Sequence, residues 1–134
     1  MRGTAILNGT ESLASLNEAI GLFERALSLD AKNVQALIGL SFVLSQRVQD
    51  FADDNIAGHL ARAEQAIDAA LAIQPDNSSA HFAKSLVYEA KHEWGPASAE
   101  AEKAIADDHN NAKALAEAGF YKIALATPRM ASRT

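Results

Sequence analysis

The stretch "AEQAIDAALAIQPDN", Ala63 to Asn77, decides how the rest of the chain is read. Ala63, Ile67, Ala70 and Leu71 stand at i, i+4, i+7 and i+8, which is the stripe of an amphipathic helix. The helix then runs into "QPDN". Pro75 cannot continue it, and Asn77 can cap a following helix through its side-chain oxygen. A second stripe, "SSAHFAKSLVY", starts directly afterwards.

The same unit occurs on either side. Ala19, Phe23, Ala26 and Leu27 precede "DAKN" and "VQALIGLSFVL"; Ala97, Ala101, Ala104 and Ile105 precede "DHNN" and "AKALAEAGFYK". Ala70 to Ala104 and Asn77 to Asn111 are both thirty-four residues apart, whereas Ala26 to Ala70 is forty-four. The surplus lies between Leu44 and Ala63 and marks Val48–Ala57, "VQDFADDNIA", as an insertion in one hairpin.

A helix pair recurring every thirty-four residues resembles the tetratricopeptide repeat, with Leu37-x2-Leu40-Ser41-x2-Leu44 and "ALAIQPDN" as its most similar segments. The family's usual tryptophan is replaced by Leu37, His81 and Leu115, and its usual glycine by Ser41 and Ser85 before returning as Gly119. Proline is kept at Pro75 and replaced by Ala31 and His109. The resemblance covers about residues 10–125 and implies an all-α, right-handed superhelix of about three stacked antiparallel helix pairs. "RGTAILN", "TESLASLNEAIGLFERALSLD" and "RVQDFADD" further resemble the repeat region that follows the catalytic domain of bacterial adenylate and guanylate cyclases. That would make the chain the non-catalytic arm of a larger signalling protein.

Composition agrees with small, closely packed helices: 49% of the 134 residues are apolar, 6% aromatic, and there are only 3 prolines and 7 glycines. A formal charge of −5 argues against nucleic acid as a partner. The absence of cysteine excludes disulfides and thiolate chemistry. No apolar run reaches the ~18–20 residues a bilayer needs, so a soluble cytoplasmic domain is expected.

Helices are expected at about 11–30, 34–51, 57–73, 78–92, 96–107 and 112–126 of a single domain. Met1–Gly9 reads as the tail of an earlier helix, Thr10 as an N-cap, and "TPRMASRT" as a fraying end. In the insertion, Leu44, Val48 and Phe51 continue the preceding stripe for about one turn, and Asp54 or Asn55 then caps the next helix. A lengthened hairpin with an acidic tip is the reading of choice, a partner-contacting finger the alternative. A Ca²⁺ loop lacks its glycine and its bidentate glutamate. The last helix carries Leu115, Phe120, Tyr121, Ile123 and Leu125 on most sides, which calls for a cover: the next helix of a longer chain or a second copy.

Chemistry-bearing patterns are absent. No histidine pairs with another ligand at helical spacing, "HEW" at 92–94 lacks the second histidine of a zinc site, and no phosphate loop or nucleophile elbow exists. No enzyme activity, metal or cofactor is therefore expected. His81 and Trp94 are expected to pack.

Function should then lie on the concave face, which the family resemblance places on the first helix of each pair: Gln35, Ile38, Gly39, Phe42, Ser45 and Gln46; Ser79, Phe82, Ala83, Leu86 and Glu89; Lys113, Ala116, Glu117, Phe120 and Ile123. The carboxylate clamp of some family members is missing here. An apolar groove suits a peptide or helix of a protein partner, or Phe42 and Phe82 simply fill the interior. A helical sensor enclosing a small molecule among His81, Phe82 and Trp94 is the other reading.

Overall fold

The computed structural model describes residues 10–50 and 55–126. These form six helices and no strand: α1 (Thr10–Leu29), α2 (Val34–Asp50), α3 (Ile56–Ile73), α4 (Ser78–Ala90), α5 (Trp94–Asp107) and α6 (Ala112–Ala126). The readings of Met1–Gly9, of Phe51, Asp53 and Asp54 and of the C-terminal tail lie outside the described residues.

One turn is built three times. Residues 30–33, 74–77 and 108–111 each join two helices. In each, the first residue's N–H closes the outgoing helix on the carbonyl of Ala26, Ala70 or Ala104, at 2.9, 2.8 and 3.0 Å. Each asparagine N–H then turns back to that first residue's carbonyl, at 3.1, 3.2 and 3.1 Å. Finally the asparagine side chain accepts the N–H three residues on: Ala36 to Asn33 at 3.1 Å, Ala80 to Asn77 at 3.0 Å, Ala114 to Asn111 at 3.0 Å. These bonds satisfy orphan groups of both helix ends at once. The last two turns are also cross-linked, since Asn111 donates to the Ser78 hydroxyl at 2.8 Å and Ser78 donates to the Ala104 carbonyl at 2.8 Å.

The other connections differ. After α4, the Glu93 N–H reaches the Tyr88 carbonyl at 2.9 Å and the His92 N–H reaches the Glu89 carbonyl at 2.9 Å. This is a Schellman stop, with His92 in the left-handed region at φ 61°. It ends α4 at Ala90, two residues before the expected limit, and α5 starts at Trp94 with Pro96 still in its first turn. Before α3, Asn55 holds the N-cap position, but the expected side-chain capping bond is not made. The link there runs from its backbone carbonyl to the His59 N–H at 3.0 Å.

Each helix packs on the next in the chain, and α2 also packs on α4. Among the described residues α1 has no extensive packing against α5 or α6, so the helices form an open row. Alanines let the row close up: Ala63, Ala70, Ala80, Ala97, Ala101, Ala104 and Ala114 are all fully buried. One core joins Leu37, Leu40, Leu44, Ile67 and Val87 of α2–α4, with Phe23 and Leu27 of α1 against it. A second joins Trp94, Ala97 and Ala101 to Ala118, Tyr121 and Ala124.

His81 is held between α4 and α5. Its Nδ1 meets Glu100 Oε1 at 2.8 Å and its Nε2 meets the Pro75 carbonyl at 2.7 Å. On α6, Leu115, Phe120, Ile123 and Leu125 are exposed as expected, but Tyr121 is fully buried and belongs to the core face. No described helix is long and apolar enough to cross a membrane.

Two substitutions test this packing by thermal and urea unfolding. Ala70→Leu should cost about 1–3 kcal/mol, because Ala70 is fully buried in the core and a larger side chain must displace its neighbours. His92→Gly should raise stability by about 0.5–1 kcal/mol, since relief of the left-handed backbone outweighs the edge contact between the His92 and Trp94 rings.

Candidate functional site

α2, α4 and α6 line one side of the row, and the space between them is a groove of two connected clefts. The first, about 540 Å³, is walled by Phe23 and Ala26 of α1, Ile38, Gly39 and Phe42 of α2, and Phe82 and Ala83 of α4, with Asn33, Gln35, Ala36, Ser79, Asn111 and Lys113 around them. The second, about 390 Å³, is lined by Phe42, Ser45, Gln46, Gln49, Asp50, Phe82, Leu86, Glu89, Lys113, Ala116 and Glu117. Phe42, Phe82 and Lys113 belong to both and form the waist between them.

Helical spacing explains this lining. Ile38, Phe42 and Ser45, then Ser79, Phe82 and Leu86, then Lys113, Ala116 and Glu117 recur at three or four residues, so each set shares one face. Gly39 has its own role: a Cβ there would overlap the Phe23 ring, so only glycine lets that ring lie against α2.

Fourteen of the sixteen residues expected on this face are lining residues. Gln35, Ile38 and Ser79 lie in the first cleft, Ser45, Leu86 and Ala116 in the second, and Phe42, Phe82 and Lys113 in both. Phe120 lines neither. Its ring stands edge-on to Trp94 at 5.7 Å and to Tyr121 at 5.7 Å, because aromatic neighbours hold it better than an open, watered groove. Ile123, which was expected beside it, is likewise not a lining residue and is 67% exposed.

The three residues of the sensor reading do not converge. His81 opens onto a shallow cleft with Pro75, Lys103 and Asp107, Phe82 lies in the groove, and Trp94 is buried against Phe120 and Tyr121. Adjacent residues of a helix point about 100° apart, which separates His81 from Phe82.

The groove is less uniformly apolar than its sequence suggests. Its second cleft gathers three carboxylates, Asp50, Glu89 and Glu117. The Tyr121 hydroxyl donates to Glu89 Oε1 at 2.7 Å and makes a longer contact with the Ser85 carbonyl at 3.4 Å. Burial, together with that carboxylate, pushes the phenol well above its usual range, so Tyr121 stays a donor. Partial burial is the main cause that pushes Glu117 up to about 7, followed by its hydrogen bond to Glu89 and the charge there. A carboxyl so placed keeps its proton more readily than one in open water. Among the described residues no group of three side chains is arranged to hold a metal ion.

Sequence reasoning named Glu89 and Glu117 as face residues without pairing them, and it passed over Asp50 and Gln49. The thirty-four-residue register aligns Glu117 with Ala83 rather than with Glu89, so repeat arithmetic hides the pair. Compared with known proteins, the chain matches no family model and no curated protein.

The acid pair leaves a mark on stability. Glu117 binds its proton more tightly folded than unfolded, so its contribution is complete below about pH 4.5 and is lost as pH rises through about 7. Glu117→Gln should flatten that part of the melting temperature against pH profile between about pH 4.5 and 7, measured by circular dichroism.

Proposed function

We propose that the chain is a tetratricopeptide-type interaction module that binds an extended or helical segment of a protein partner in the groove across α2, α4 and α6. The observation that carries this reading is the waist. Phe42 and Phe82 are only half-buried although they sit centrally between two clefts, so two aromatic faces remain for a ligand to cover. Apolar anchors of a partner gain at roughly 25 cal/mol per Å² buried there, and the rigid walls keep the ordering cost low.

The thirty-four-residue unit, the recurring asparagine turn and the open row of helices support the repeat assignment. On this reading the module works in the bacterial cytoplasm as the non-catalytic arm of a signalling protein, where it scaffolds or regulates a catalytic domain. It binds without turnover. The exposed Leu115, Phe120, Ile123 and Leu125 of α6 suit a continuing helix or a second copy of the chain.

Peptides selected on the intact chain from a random twelve-residue library should lose at least about tenfold in affinity for the Phe42→Ala/Phe82→Ala protein, the loss expected for two truncated anchors. Far-UV circular dichroism should be unchanged by the pair of substitutions. Peptides that bind the variant as well as the parent would place recognition elsewhere.

A further inference from the structure

The second cleft differs from the first in a way that names part of its occupant. Asp50 comes from α2, Glu89 from α4 and Glu117 from α6, so three helices deliver three carboxylates to one cleft. The cation that shares this cleft, Lys113, is paired with none of them among the described residues. No charged side chain of α5 lines the cleft. Carboxylates therefore outnumber cations in this cleft.

A second observation is independent of charge. Ser45 lines the same cleft and is 1% exposed, and its hydroxyl has no hydrogen-bond partner among the described residues. Buried hydroxyls in folded proteins are nearly always partnered, and this one sits in the wall of the cleft. The cleft is also the wrong shape for a bare ion. It holds about 390 Å³ and its wall includes Phe42, Phe82 and Leu86, surfaces that suit an alkyl stem carrying a charge at its tip.

We propose that the Asp50–Glu89–Glu117 end of the groove receives a lysine or arginine side chain of the bound segment, while a neighbouring apolar residue of that segment packs at the Phe42–Phe82 waist. This deepens the groove reading above and rests on it. The partner is thus a basic-apolar segment, complementary to a chain whose formal charge is −5.

Proton linkage follows from the same geometry. Glu117 holds its proton up to about pH 7 beside Glu89, with Asp50 in the same cleft, Tyr121 donating to Glu89, and Lys113 one turn away on α6. An arriving cation takes the proton's place, so binding releases a proton near neutral pH and tightens as pH rises through about 7.

The test uses peptides selected on the intact chain. Three results are expected. Lysine or arginine should be enriched beside an aliphatic or aromatic residue. Replacing the selected arginine by neutral citrulline, or the lysine by norleucine, should weaken binding at least about tenfold, as for a desolvated charge pair. In the Glu89→Gln/Glu117→Gln protein the same replacement should cost almost nothing more, and calorimetry in buffers of different ionisation enthalpy should show the proton release disappear. The amide that Glu89→Gln introduces can still accept from Tyr121, and circular dichroism checks that the fold persists. Groove-binding peptides without basic enrichment, or an unchanged citrulline penalty in the double variant, would overturn this inference and leave the groove standing. Failure to select any peptide, or peptides indifferent to Phe42→Ala/Phe82→Ala, would overturn the groove reading itself and this inference with it.

Discussion

The asparagine turn governs this structure. Its three copies share two backbone bonds and one side-chain cap, made at nearly identical distances. A turn of fixed geometry sets the angle between the helix it ends and the helix it starts. Setting that angle the same way three times puts α2, α4 and α6 on a common side. The fully buried alanines of α3 and α5 do the complementary work. They hold neighbouring backbones close, so side chains of the groove face are ordered by the packing behind them.

The groove combines two physical environments that oppose each other. Its aromatic waist is drier than open surface, and dryness raises the cost of charge on Glu117. The same dryness strengthens any attraction that the carboxylates exert on a cation. Tyr121 keeps the arrangement in place by tying α6 to α4 through Glu89, at the cost of holding a phenol and a carboxylate together away from water. His81 performs the matching structural task on the opposite side, where its two ring nitrogens meet Glu100 and the Pro75 carbonyl.

Much of this was legible in the residues. The stripe from Ala63 to Leu71 specifies a helix whatever surrounds it, and each asparagine marks its own turn because capping is a local interaction. Phe42 and Phe82 could be assigned to one face by helical spacing alone. What escaped depends on groups far apart in the chain. Phe120 occupies the right face by spacing, yet Trp94 draws its ring away, a competition that no periodicity encodes. Glu89 and Glu117 meet across two helices at unequal positions of the repeat. His92 takes a left-handed backbone with no glycine to announce it, so the end of α4 lay two residues earlier than its hydrophobic pattern suggested.

The division into two cores has a consequence for how order is distributed. Leu37, Leu40, Leu44, Ile67 and Val87 knit α2 through α4 into one unit, whereas α6 packs mainly on α5 through the Trp94–Tyr121 cluster. In a row of nearest-neighbour contacts, an end helix can open without unfolding the middle. The third wall of the groove is therefore its least secured part. A segment bridging Phe42 to Glu117 would act as a tie-rod across that seam, and occupancy would be felt as cohesion of the whole row.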